Sequence, residues 1–109
     1  MTDASIRDNT EAHRYELPVG DDLAVVTYNL SGQNLMITET LVPEALEGQG
    51  IASRLAKHVL DDARGRGLLI LPVCPFFSAW LQKHPEHADV VHPTYRQILG
   101  LTQSVLIKD

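Results

Sequence analysis

Apolar and polar positions change their rhythm at Gly50. Before it, "LAVVTYNL" (Leu23 to Leu30) and "LMITETLV" (Leu35 to Val42) are rich in β-branched and aromatic residues, and "SGQN" between them suits a hairpin connection. "HRYEL", closed by the turn formers of "PVGDD", reads as a shorter strand ahead of them, so three antiparallel strands in chain order are expected. After Gly50, Ile51, Leu55, Val59 and Ala63 recur at helical spacing beside Ala52, Ala56 and Leu60. Arg54, Lys57, Asp61 and Asp62 are left to solvent, with His58 on the flank as a surface residue. "RGRG" (Arg64 to Gly67) ends this helix, with Gly65 or Gly67 free to take the left-handed cap.

"LLILPV" (Leu68 to Val73) follows as an apolar run, the pattern of a strand buried on both faces. Strand, crossover helix and strand form a βαβ unit, so those two strands should be parallel. "PFFSAWLQKH" predicts a short helix with Pro75 in its first turn, stopped before Pro85. The fold class is therefore α/β (α+β): a mixed sheet with antiparallel N-terminal strands, a crossover helix and a parallel pair. Residues 1–11 lack an apolar period and read as a mobile leader, residues 12–92 as the domain, and residues 93–109 as an extension packed on it in helix or strand form.

Composition narrows the function classes. The 109 residues suffice for one core, and 44% hydrophobic with 21% charged content is ordinary for a globular domain without a membrane span. The start is polar and unlike a secretory signal. A net charge of -5, with nine scattered basic residues, disfavours nucleic acid and suits a cationic partner. A single cysteine, Cys74, excludes a disulfide framework and fits a reducing, cytoplasmic setting. His84, His87 and His92 with Asp89 do not make a metal set, because Pro85 breaks the helix on which a His pair would converge.

The candidate chemistry begins at the Gly-Gln-Gly turn. The first N–H groups of a helix lack partners within it and lie at the positive end of its dipole, where an anion is favoured. Gly48 and Gly50 remove side chains that would hold a phosphate away from that backbone. The turn is not a mononucleotide P-loop, since Ile51-Ala52 replace Lys-Ser/Thr, and it lacks the three-glycine dinucleotide fingerprint. A purely structural turn is the other reading.

The stretch from Val42 through "EGQGIASRLAKHVLDDARGRGLLILPVCPFFSAWLQKHPEHADVV" resembles the short, single-domain branch of the GCN5-related N-acetyltransferase superfamily. The likeness extends over roughly residues 12 to 92. That superfamily's signature is Gln/Arg-x-x-Gly-x-Gly/Ala: Gly50 and Ala52 match its last fixed positions, Gly48, Gln49 and Ile51 fill the variable ones, and Glu47 replaces Gln or Arg. The resemblance implies a curved sheet whose strands around Leu35–Val42 and Leu68–Val73 splay apart to admit the pantetheine arm of acetyl-CoA. It further implies acetyl transfer to an amine, which could be a small amine, a lysine or a protein N-terminus. Compared with full-length relatives, there is no space for the helices that build the acceptor site.

Transfer from a thioester to an amine needs a base, a donor for the carbonyl oxygen and a proton for the thiolate. Glu39, a polar residue within "MITETLV", is the candidate base, where relatives often carry His; the alternative is a solvent-facing strand residue. Backbone N–H groups of Leu41 and Val42 are the natural partners of the carbonyl and pantetheine. Trp80 stands where relatives often have a Tyr acid, which leaves Cys74, at a helix start that would favour its thiolate, as a proton donor or acyl carrier. Its other reading is a small buried residue beside the cofactor. Phe77 is a core or cofactor-wall residue, and Glu47 repels a diphosphate unless it points outward. A non-catalytic acyl-CoA-binding module and a thiol redox protein are the rival functions.

Overall fold

The computed structural model of the chain describes residues 5–101. Five strands form one sheet in chain order: β1 (Arg7–Asn9), β2 (Arg14–Val19), β3 (Asp22–Ser31), β4 (Asn34–Leu41) and β5 (Leu69–Pro72). The first four pair antiparallel, and β5 lies parallel to β4 through the crossover helix α1 (Ile51–Arg66). A 3₁₀ turn at Glu44–Leu46 precedes α1; α2 (Pro75–Lys83), a second 3₁₀ segment (Pro85–Val90) and α3 (Pro93–Ile98) follow β5.

Period-two alternation puts Tyr15, Leu17, Ala24, Val26, Leu35, Ile37 and Ile70 on one sheet face, all essentially without exposure. Against them lies the apolar stripe of α1, Leu55, Val59, Leu60 and Ala63, with Phe77 and Leu81 of α2 closing the core. Helix α1 stops where Gly67 takes φ 69°, its N–H bonding to the carbonyls of Ala63 and Arg64 while Leu68 N–H bonds to Ala63. Gly65 stays inside the helix.

Three expectations are corrected. Residues 7–9, read as part of a leader, pair with β2 as an edge strand. Strand β5 is itself an edge strand, with Leu69 and Leu71 only half-buried, so it is not buried on both faces; an isolated bridge from Ile70 to Val91 covers its outer side. His58 is buried, its ring edge against Tyr15 at 5.7 Å, because its flank of α1 faces β2 rather than solvent. Of the C-terminal extension, Pro93–Ile98 is helical and Leu101 is buried, whereas residues 102–109 lie outside the described residues.

Polar clusters tie β1 down on both faces. On the core side, Tyr15 donates to Asp62 (2.6 Å) and Tyr28 to Asp8 (2.5 Å), and Arg66 reaches both carboxylates, so β1 is joined to the last turn of α1. Burial, with the carboxylate contacts adding to it, pushes both phenols well above their usual range. On the opposite face, the buried carboxyl of Glu16 accepts from Arg14 (2.7 Å), Asn9 (3.0 Å) and Arg7 (2.9 Å), which hold its pKa down at about 2.

A carboxyl held below its ordinary 4.5 stabilises the fold above that pH, and the contribution is lost as pH falls through about 2. Because Arg7 is largely exposed, screening reduces its share, and Glu16→Gln should cost about 1–2 kcal/mol at pH 7. Urea denaturation of both proteins should show that difference shrinking steadily from pH 4.5 towards pH 2.

Candidate functional site

Strands β4 and β5 run together only as far as Ile37. Its carbonyl accepts from both Val73 and Cys74 N–H at 3.0 Å, after which β5 ends at Pro72 and the chain turns into α2. The outer half of β4, from Thr38 to Leu41, has no β5 partner. On its other side the ladder with β3 is bulged: Tyr28 faces Ile37 and Thr27 faces Glu39, so Thr38 is the extra residue. Hydroxyls hold this bulge, with Thr27 Oγ1 and Thr38 Oγ1 2.7 Å apart and Thr38 donating to the Thr27 carbonyl.

The bulge decides where the side chains beyond it point. Thr40 turns to the helix side, its Oγ1 3.4 Å from the sulfur of Cys74, while Glu39 is exposed on the face it shares with Thr27. Cys74 is 3% exposed at the start of α2. Glu39 and Cys74 therefore flank β4 from opposite faces rather than touching.

Past β4, the 3₁₀ turn delivers the chain to Glu47, and Gly48 and Gly50 take φ 83° and 73°, conformations that other L-residues adopt only under strain. Nothing lies within 4 Å of a Cβ added at either, so the glycines serve the backbone turn and face open space. The first bond of α1 is Arg54 N–H to the Gly50 carbonyl (3.1 Å), and no acceptor among the described residues takes the N–H groups of Ile51, Ala52 or Ser53. These amides open onto a depression of about 170 Å³ lined by Val42, Leu46, Glu47, Gly48, Gly50 and the first turn of α1.

The residues singled out from sequence fall into three groups. Val42, Glu47, Gly48, Gly50, Ile51 and Ala52 gather at the depression, with Leu41 exposed on the adjoining end of β4. Gln49 is exposed, its side-chain amide reaching the Ala45 carbonyl at 3.5 Å, and Glu47 is exposed at the rim. Phe77 is wholly buried in the core. Two further residues were not singled out as site residues: Ser53, next in the chain after the glycine signature, lines the depression, and the buried Trp80 donates its Nε1–H to the Ser53 hydroxyl at 3.2 Å. The histidines disperse, His84 and His87 packing on Trp80 and His92 bonding to Thr94 N–H; among the described residues no three His, Cys, Asp or Glu side chains are placed to hold a metal ion.

A glycine turn feeding a helix with free leading amides, beside a strand pair that parts at a bulge, is the arrangement that the sequence resemblance implied. The family model for GCN5-related N-acetyltransferases matches residues 14–90. The chain belongs to the GCN5-related N-acetyltransferase family. Among solved structures, four chains match. One is the solution structure of a GCN5-like candidate N-acetyltransferase from Staphylococcus aureus, 27% identical over 84% of this chain and 91% of that one, with a TM-score of 0.66. No curated protein matches. This GCN5-related N-acetyltransferase thus has the mixed sheet expected for it, with the amides of α1 and the end of β4 on one rim.

The two classes of glycine in α1 give a direct check on this turn. Gly50→Ala should cost about 1 kcal/mol through its positive φ alone, whereas Gly65→Ala, inside the helix and uncrowded, should be neutral or stabilising by up to about 1 kcal/mol. Thermal melts of the two variants should move in opposite directions or differ by several degrees.

Proposed function

We propose that the protein is an acetyl-CoA-dependent N-acetyltransferase acting on an amine. The observation that carries this reading is the set of three leading amides of α1 without acceptors, opening on a depression beside the parted end of β4. Free donors at the positive end of a sixteen-residue helix fit a diphosphate in both hydrogen bonding and charge. Membership of the family supports acetyl transfer in general; the cofactor and the acceptor are our reading of this site.

The residues divide the work as follows. Amides of Ile51, Ala52 and Ser53, with the turn Gly48-Gln49-Gly50, would hold the diphosphate. The end of β4 that has no β5 partner, Leu41 with Val42 after it, would lie along the path of the pantetheine arm, and Phe77 would back that path from the core. Bound acetyl-CoA supplies the acetyl group as a thioester. Glu39 Oε accepts the proton of the incoming amine as its nitrogen bonds to the acetyl carbon. Cys74 Sγ, in contact with the Thr40 hydroxyl, passes a proton to the sulfur released when the carbon–sulfur bond breaks. Opposite placement of Glu39 and Cys74 about β4 suits this sequence, because the amine arrives on one side while the thiol leaves on the other. A small amine, a lysine side chain or a protein N-terminus each satisfies this geometry, and an acidic chain with one buried thiol suits the reducing cytoplasm.

One observation favours a second reading, an acyl-CoA-binding module without turnover: Glu47 lines the depression where the family signature has Gln or Arg. Incubation with acetyl-CoA and a panel of amines, followed by free-thiol detection, separates the two. Turnover is expected with at least one amine, lowered by about 10²-fold or more in Glu39→Gln. In Gly50→Glu, which adds a carboxylate at a residue lining the depression, coenzyme A binding should be lost while the circular dichroism spectrum is retained. Binding without thiol release for any amine would support the module instead.

Glu47 also gives a prediction of sign. A carboxylate beside a diphosphate costs on the order of 1 kcal/mol in a solvated site, so Glu47→Gln should tighten coenzyme A binding by about fivefold. Calorimetric titration at low and high salt should show the gain diminishing as ionic strength rises.

A further inference from the structure

Trp80 is buried in α2, a different element from α1, whose leading amides line the depression. It is 8% exposed and held from several sides: His84 stacks on it at 3.9 Å and 17°, His87 lies 5.5 Å away, and the His84 ring bonds back to the Trp80 carbonyl at 2.8 Å. His87 and Asp89 are in turn fastened to Arg64 near the far end of α1, Asp89 by two hydrogen bonds of 2.9 and 3.2 Å. The indole is therefore set rigidly with respect to both ends of α1. Its one polar atom, Nε1–H, meets Ser53 Oγ, a side chain in the first turn of α1 that lines the depression.

A serine hydroxyl has one proton to donate and lone pairs that accept. With the indole N–H on a lone pair, the hydroxyl proton must point elsewhere, and the structure gives Ser53 no second protein partner. Ser53 is exposed, so its proton is directed to whatever occupies the depression. Oriented hydroxyls of this kind lose little on binding an anion, since their direction is already fixed.

We propose that Trp80 is a positioning residue for anion binding: it fixes Ser53 so that the hydroxyl acts as a fourth donor beside the amides of Ile51, Ala52 and Ser53. The role differs from proton donation to the leaving sulfur, for which an indole is unsuited. This inference rests on the coenzyme A site proposed above and adds the residues that tune its affinity.

Coenzyme A binding to Trp80→Phe, Ser53→Ala, the double variant and Ser53→Thr tests it. Trp80→Phe retains an aromatic ring for the His84 stack but removes the N–H together with part of the buried indole, so Ser53→Ala, which leaves the core intact, is its control. Each of the first two should raise Kd about 3- to 10-fold, the worth of one hydrogen bond, and the double variant should bind no worse than either alone. Ser53→Thr, which keeps the hydroxyl, should stay near the wild type. KM for acetyl-CoA should rise in parallel with kcat unchanged, a split that general loosening of the fold would not produce. Wild-type affinity in Trp80→Phe, or a double variant whose loss is the product of the two single losses, overturns the proposal. Should Trp80→Phe not fold, unaltered binding by Ser53→Ala overturns it, and loss in Ser53→Ala with retention in Ser53→Thr supports it. A wild-type protein that binds no coenzyme A defeats the site itself and this inference with it, whereas binding unaffected by the variants defeats the inference alone.

Discussion

The carbonyl of Ile37 is the point on which the site depends. It accepts two N–H groups, from Val73 and Cys74, and with that double bond the parallel pairing of β4 and β5 ends. A strand pair that continued would have satisfied the outer half of β4 and closed the sheet. Because it stops, four residues of β4 keep one edge open, and the chain leaving β5 is turned at once into α2. The bulge at Thr38 acts at the same level, since one extra residue sends Glu39 to one face and Thr40 to the other.

The glycine turn is the second half of the same construction. Two residues at positive φ let the chain leave β4, pass through a short 3₁₀ turn and start α1 with its leading amides aimed at the opening. The core then holds that aim: the stripe of α1 is packed on the buried face of β2 to β5, and Trp80 braces its first turn from α2. The clusters at Glu16 and at Asp8, Asp62 and Arg66 fasten the far edge of the sheet, so the open edge beside β5 is set in an otherwise closed frame. Position and chemistry are thus separated, with apolar burial placing α1 and its leading amides left without acceptors among the described residues.

Much of this was legible in the chain. Alternation in "LAVVTYNL" and "LMITETLV" and the helical stripe from Ile51 to Ala63 are local signals, and they led to β3 and β4 within a residue of their observed ends and to the start of α1, which continues past the stripe to Arg66. Strand β1 was missed because "RDN" has no apolar period; its place comes from pairing with β2 and from side chains nine or more residues away. His58 was misplaced for a related reason, as the width of the buried face of α1 depends on Tyr15 across the core. "LLILPV" suggested burial on both sides, yet within β5 only Ile70 and Pro72 are buried while Leu69 and Leu71 are half-buried, and apolar density alone does not tell a central strand from an edge. At the site, spacing disclosed Gly48 to Ala52 but not Ser53 with Trp80, a contact spanning 27 positions that only the packing of α2 on α1 brings about. Nor could spacing tell that Glu39 and Cys74 flank β4 from opposite faces, since that follows from the bulge.

The central claim is that the amides opening α1 grip a diphosphate. Backbone amide shifts followed by heteronuclear NMR during titration with coenzyme A test it most directly. The largest changes are expected at Gly48 through Ser53, with smaller ones at Leu41 and Val42 and little change in β1 and β2. Saturable shifts centred elsewhere on the protein, or none at millimolar ligand, would contradict it.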